Sequence, residues 1–215
     1  MATEKSPQKR RPGRPSTKKA GTTRKDLLEA AIELFGELGF AGASLSQIAN
    51  LAGTDIGLTR YYFGSKETLW RAAIDHLADM LASELVQIVD REFASSTERM
   101  KAVIRWFIQM SARHPQLSRI IVLDGNDEGT RGQYVTERLV GPFYNLMDGL
   151  IAGAQLEGTT VDAEPRTIFF MITHGGSFPM ALPVLTNKFP GGDISQPGNL
   201  EKHAEAIINL VFSGS

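Results

Sequence analysis

The 215 residues include no cysteine, which removes disulfides, thiolate metal sites and thiol nucleophiles at once. That absence fits a reducing compartment, and a cytoplasmic location is expected. Nowhere does an apolar run reach the roughly 20 residues that a helix needs to cross a bilayer, so no membrane partner is expected either. Nothing resembling the apolar core of a signal peptide follows the basic start. No segment alternates convincingly at period two, which argues against a sheet and leaves an all-α fold. Catalytic constellations are missing as well. His76, His114, His174 and His203 are scattered without metal-ligand spacing, and no glycine-rich phosphate loop follows a strand. Asp124, Asp127 and Glu128 gather acids in one turn-rich stretch, but without the spacing of a calcium loop, so it reads as a solvated loop. Neither an enzyme nor a bound cofactor is expected.

Acidic groups are almost absent from the first 25 positions. Nine basic residues stand there against Glu4 alone, a net of +8, while the other 190 residues carry 14 basic and 23 acidic groups, a net of −9. The overall charge of −1 therefore hides a cationic head suited to an anionic partner at one end. Residues 1–21 have no hydrophobic period and are expected to form a disordered basic arm. The PGRP stretch in this arm partly resembles an AT-hook, with Pro12 standing where that motif has arginine. Three readings stay open for the arm: a solvated tail, a phosphate-tracking arm, or minor-groove insertion by Arg11 and Arg14.

What is present is concentrated in residues 44–66, SLSQIANLAGTDIGLTRYYFGSK. Ser44 and Gln47 have the spacing of a capping box, and Leu45, Ile48, Ala49 and Ala52 follow it at helical intervals. Gly53 permits the backbone of a tight turn. Thr54 or Asp55 can cap a second short helix, which presents Arg60 and Tyr61 before Phe63 returns to the core. A helix, a glycine turn and a projecting second helix make a helix-turn-helix, whose second helix enters the major groove of DNA. Before it, residues 23–38 carry Leu28, Ala31, Ile32, Phe35 and Leu38 at helical spacing, with Gly39 to end the helix. At the start of that helix, Thr23 can cap or meet a phosphate.

Residues 52–70, AGTDIGLTRYYFGSKETLW, resemble the helix-turn-helix of the tetracycline-repressor (TetR/AcrR) regulators, matching it in register at eight positions: Gly53, Gly57, Tyr62, Phe63, Ser65, Lys66, Glu67 and Leu69. The likeness is sharp over about residues 22–75. It implies a three-helix DNA-binding head, residues 22–68, ahead of a larger helical domain, residues 69–215, for ligand binding and dimerisation. It also implies a repressor that binds a palindromic double-stranded operator as a homodimer and is released by a small-molecule effector. The DNA-binding candidates are Thr23, Ser44, Ser46, Thr54, Gly57, Leu58, Arg60, Tyr61, Tyr62 and Lys66, with Arg11 and Arg14 from the arm. Two positions depart from the pattern. Arg60 replaces an aromatic, and an arginine can pair bidentately with guanine O6 and N7. Thr59 replaces an aliphatic residue, and its hydroxyl and that of Thr54 are expected to bond back to the preceding turn.

The remaining helices are read at residues 66–92, 97–114, 116–123, 132–156, 164–185 and 200–212, nine or ten in all. Ser65 can cap the first of these, Pro115 closes the second, and breaks are expected around Pro142, Pro179 and Pro183. Residues 187–199 read as a loop on glycine and proline content. By the resemblance, residues 164–185 and 200–212 pair with their copies, with Phe169, Gly175, Phe178, Ile207 and Leu210 at the dimer interface. By the resemblance, a ligand pocket would be lined from residues 100–114, 139–151 and 166–180, with Trp106, Met110, Phe143, Phe170 and His174 as candidates, although ordinary core packing is the first reading for each one separately. A protein that acts on DNA without a ligand would have a closed core over residues 100–180. An apolar cavity there is the discriminating feature.

Overall fold

The computed structural model describes residues 20–212, with side chains from Arg24 onward. Arg11, Arg14 and the side chain of Thr23 lie outside the described residues. Within them every regular element is helical, with no strand. Helix α1 (Ala20–Gly42) is followed by α2 (Leu45–Leu51), α3 (Ile56–Phe63) and the long α4 (Lys66–Val89). Then come α5 (Ser96–Arg113), α6 (Pro115–Asp124), α7 (Thr130–Val135), a π-helical turn (Thr136–Val140) and α8 (Gly141–Leu156). The chain ends with α9 (Pro165–Ala181), the one-turn α10 (Pro183–Thr186) and α11 (Pro197–Val211). Since α7, the π turn and α8 run on without a break, these segments amount to the nine or ten helices expected. No helix among the described residues is long and apolar enough to cross a membrane.

The elements begin and end where local chemistry directs. Gly39 adopts φ 68° and kinks α1 three residues before its end. Ser65 accepts the Thr68 amide at 3.1 Å and starts α4; Ser95 does the same for α5 with the Glu98 amide. His114, in non-helical geometry, separates α5 from α6, so Pro115 opens a helix as well as closing one. Pro142 sits in the first turn of α8 and has no amide for the carbonyl of Arg138. The chain widens instead of breaking: Gly141 donates to Thr136 O, five residues back. Pro179 lies inside α9, which continues to Ala181 and stops only at Leu182. The final helix starts at Pro197 rather than at residue 200, its first turn supplied by proline.

The head is joined to the body by burial, with no gap between them. Leu27, Leu28, Ala31, Ile32 and Phe35 of α1 belong to the same buried cluster as Trp70 of α4, Ile120 of α6, Phe169 of α9 and Ile208 of α11. At Gly36 the backbones of α1 and α6 come so close that an added Cβ would sit 2.6 Å from Gln116 Cβ. One turn on, Phe40 packs edge-on against Trp70 with centroids 6.1 Å apart. The Trp70 indole nitrogen donates to Asp124 Oδ2 at 2.9 Å, inside the protein. Asp124, expected in a solvated loop, is buried at the end of α6. A tryptophan N–H that leaves water needs an acceptor, and the acid follows it inward.

Burial raises the Asp124 carboxyl above its ordinary pKa, against the lowering effect of hydrogen bonds from Trp70 and Phe40 and of the Arg131 charge. A carboxyl whose folded pKa lies above its unfolded value gives stability that is complete below the unfolded value and is lost as pH rises through the folded one. Asp124→Asn should therefore gain on the parent protein as pH rises through that window, and lose the gain in acid. Urea unfolding of both proteins between about pH 4 and about pH 7 checks the sign; a difference that does not change with pH would refute it.

Candidate nucleic-acid interface and internal cavity

Helix α2 starts at Ser44, whose hydroxyl oxygen accepts the Gln47 amide at 3.3 Å while the same hydroxyl donates to Gln47 Oε1 at 2.6 Å. The capping box thus closes side chain to side chain. After α2, Gly53 takes φ +65° with open space around it, a conformation that side chains with a Cβ rarely adopt. Thr54 N–H returns to Ala49 O at 2.9 Å. Asp55, not Thr54, caps α3, accepting the Leu58 amide at 3.0 Å. Gly57 leaves room for that cap, since a Cβ there would stand 2.8 Å from Asp55 Oδ1. Both threonine hydroxyls bond back as expected, Thr54 to Ala49 O at 3.4 Å and Thr59 to Asp55 O at 3.3 Å. Thr59 is fully buried on the underside of α3, beside the buried Phe63.

The outer face of α3 carries Gly57, Arg60 and Tyr61, all exposed, with Tyr61 at 81%. Leu58 and Tyr62 are half-buried at its edges, and the Tyr61 and Tyr62 rings meet edge-on at 5.6 Å. Ser44 and Ser46 are exposed on α2, and Thr54 is half-buried in the turn. Arg24 of α1 lies with its guanidinium 5.3 Å from the Phe63 ring. The α3 end has a clean surface of the right chemistry for base edges and phosphates: an arginine, phenols, hydroxyls and a bare backbone.

Lys66 has partners within the chain that its sequence context did not indicate. Read as a phosphate-gripping residue, it points its ammonium at the Ala43 carbonyl, 2.8 Å away, and the Ala41 carbonyl, 3.4 Å away. It also lies 4.5 Å from the Phe40 ring centroid. The frayed carbonyls at the end of α1 attract a cation, and the first residue of α4 supplies it. Lys66 therefore clasps α1 to α4.

Behind the head lies an apolar cavity of about 200 Å³ between α4, α5, α6, the π turn, α8 and α9. All five residues proposed for a ligand pocket, Trp106, Met110, Phe143, Phe170 and His174, line it. Aromatic contacts knit its walls: Phe143 stacks on Phe107 at 5.2 Å and Phe170 meets His174 at 5.3 Å. Sequence reasoning missed two walls. Ala78, Leu81, Ala82 and Leu85 of α4 line the cavity, and their i, i+3, i+4, i+7 spacing was the available signal. The other missed wall is Leu117, Ser118, Ile121 and Val122 of α6, and Arg138 of the π turn lies one residue ahead of the lining expected from residue 139 onward. Arg138 binds Asp75 Oδ1 at 2.7 Å and Asp79 Oδ1 at 3.3 Å, both on α4. Tyr134 donates to the same Asp75 oxygen at 2.7 Å.

The dimer candidates divide. Phe178 is exposed on α9 and Leu210, at 69%, on α11. Phe169 and Ile207 are buried in their own chain and so lie off the outer face; Phe169 packs on Tyr144 at 5.0 Å. Gly175 is exposed, yet its missing Cβ makes room for Ile207 of α11, 3.3 Å from where that atom would be. An eighteen-residue apolar run conceals which side faces home. Phe170 and Met171 are exposed where Phe169 is not.

Residues 27–73 match the sequence profile of the bacterial regulatory proteins of the tetR family. The chain is 32% identical over 152 residues to the HTH-type transcriptional regulator RutR of Escherichia coli (strain K12), a match covering 69% of each protein. The fold is similar to that of the ketosteroid transcriptional regulator KstR2 of Mycobacterium tuberculosis, with a TM-score of 0.71 and 19% identity over 89% of this chain and 95% of that one. It is also similar to AibR in complex with isovaleryl coenzyme A and operator DNA, with a TM-score of 0.69 and 18% identity over 90% of this chain and 100% of that one. With the turn at Gly53 projecting α3 and a helical body behind it, and with these relatives, the chain belongs to the TetR family of bacterial transcriptional regulators.

Proposed function

We propose that this protein is a repressor that binds a palindromic operator as a homodimer and lets go when a small molecule fills the cavity behind its head. Residues 22–68 would hold the DNA, residues 69–215 would sense the ligand and pair the subunits, and residues 1–21 would add a basic arm. One observation carries the reading. Helix α4 forms a cavity wall through Ala78, Leu81, Ala82 and Leu85, and five residues earlier in the same helix Leu69, Trp70 and Ala73 are buried against the head. A ligand that presses on one end of α4 displaces the other.

Two-fold pairing gives that displacement its effect. Two recognition helices must lie about 34–36 Å apart to reach successive major grooves, so a change in their spacing lowers affinity for both half-sites together. Phe170, Met171, Phe178 and Leu210 leave an apolar surface on α9 and α11 that suits a second copy. AibR, of similar fold, is in complex with isovaleryl coenzyme A and operator DNA, so a fold of this kind holds both a small molecule and an operator. The cavity also favours this reading over a ligand-independent DNA protein, which needs no such space.

Arg138 is the coupling residue in this scheme, because it stands in the cavity wall and grips Asp75 and Asp79 of α4. Arg138→Gln should leave operator affinity near that of the parent and blunt release by metabolite extract; release as complete as in the parent protein would remove Arg138 from the signal. The DNA reading itself is tested on the DNA upstream of the protein's own gene, at controlled salt. Arg60→Ala should cost about 1–3 kcal/mol per half-site and relax preference at one base pair, and unaltered preference would show that Arg60 reads no base. Lys66→Met should lower thermal stability, leaving the dependence of log affinity on log salt unchanged. A slope reduced by about one unit would return Lys66 to phosphate contact.

A further inference from the structure

Resting on the reading of the cavity as an effector site, we infer that the effector is an uncharged aromatic molecule that carries a hydrogen-bond donor, of the phenol or aryl-amine class. The argument turns on which hydrogens the polar wall has already given away. Three hydroxyls stand on the α6 and α9 side of the cavity: Ser118, Thr173 and Ser177. Ser118 donates to Ser177 Oγ at 3.0 Å. Ser177 donates to Thr173 O at 2.6 Å, and Thr173 donates to Phe169 O at 2.9 Å. Every hydroxyl hydrogen is spent, and each oxygen keeps at least one lone pair.

His174 continues the pattern. Its Nδ1 lies 3.3 Å from Thr173 Oγ1. That threonine hydrogen is already engaged, so in the neutral ring Nδ1 is the donor and Nε2 is left as an acceptor. This side of the cavity accepts and does not donate. A ligand that settles there without stranding a polar group must bring its own donor.

Charge is excluded by the opposite wall. Arg138 is the one ionised side chain that lines the cavity among the described residues, and it is held by Asp75 and Asp79. An incoming carboxylate or phosphate would compete with two fixed carboxylates for a single guanidinium, after giving up its water. The buried Trp106 Nε1 has no partner, but its nitrogen is covered by neighbouring atoms and offers nothing to the open space. Six aromatic rings, from Trp106, Phe107, Phe143, Phe169, Phe170 and Phe178, account for much of the remaining wall and favour a ring between them.

The test uses the full-length protein and three probes of one ring size: 2-naphthol, 2-methoxynaphthalene and 2-naphthoate, each titrated calorimetrically. The naphthol should bind at least about tenfold more tightly than either the ether or the carboxylate. In Thr173→Val/Ser177→Ala, shown by its melting curve to be folded, the preference for naphthol over ether should fall towards one, with ether affinity unchanged. Naphthoate binding most tightly, or naphthol and ether binding alike in the parent protein, would overturn the inference. Failure of all three probes would overturn it too. If metabolite extract nevertheless frees the operator, the effector-release reading stands and only the chemical class assigned here is lost.

Discussion

The contact on which the rest of the structure depends is the buried meeting of Phe40, Trp70 and Asp124 at the junction of three helices. Phe40 lies just beyond the kink at Gly39, Trp70 in the first turns of α4 and Asp124 at the end of α6. Around the Phe40 ring stand the Trp70 edge, the Lys66 ammonium at 4.5 Å and the Arg131 guanidinium at 4.4 Å. Apolar burial brings the elements together, but only the indole–carboxylate bond and the two cations fix their angle. Through this node α4 is tied to α1 and α6, and farther along the same helix lines the cavity.

Short, polar links join the cavity wall to α4 on a helical frame. The π turn is the weak point in that frame. It exists because Pro142 cannot complete an α-helical bond and Gly141 reaches five residues back. It places Arg138 where the side chain can both border the cavity and reach two acids one turn apart on α4. Arg71 extends the network from α4, its guanidinium 4.5 Å from the Tyr134 ring. Such π segments recur at functional positions in helical proteins, and this one adjoins α4, which runs from the head to the cavity.

The helix-turn-helix was readable because its constraints are local. A capping serine, a left-handed glycine, a second cap and a returning phenylalanine each act within four residues, so the sequence states them directly. The same holds for the 3–4 spacing in α1. What could not be read were facts that depend on distant neighbours. Lys66 looks like any exposed cation until the carbonyls of Ala41 and Ala43 arrive from α1. Asp124 looks like a loop acid until Trp70, 54 residues away, needs an acceptor. In α9 nearly every residue is apolar, so the pattern carries no phase; that Phe169 is buried and Phe170 exposed could be assigned only once α8 was in place. The prolines divide: the break expected at Pro183 is there, with Leu182 in non-helical geometry between α9 and α10, while the chain widens ahead of Pro142 and α9 runs on past Pro179 to Ala181.

The absence of a side chain at Gly36 has a consequence for how such regulators diversify. With α1 lying against α6 at a distance that leaves no room for a single methyl group beside Gln116, the head is no interchangeable cartridge. Grafting a relative's DNA reader onto this body, or this reader onto another, would require the two surfaces to be recut as a matched pair. New operator preferences are therefore more easily acquired by changing the outward residues of α3 in place than by recombination at the boundary of the head.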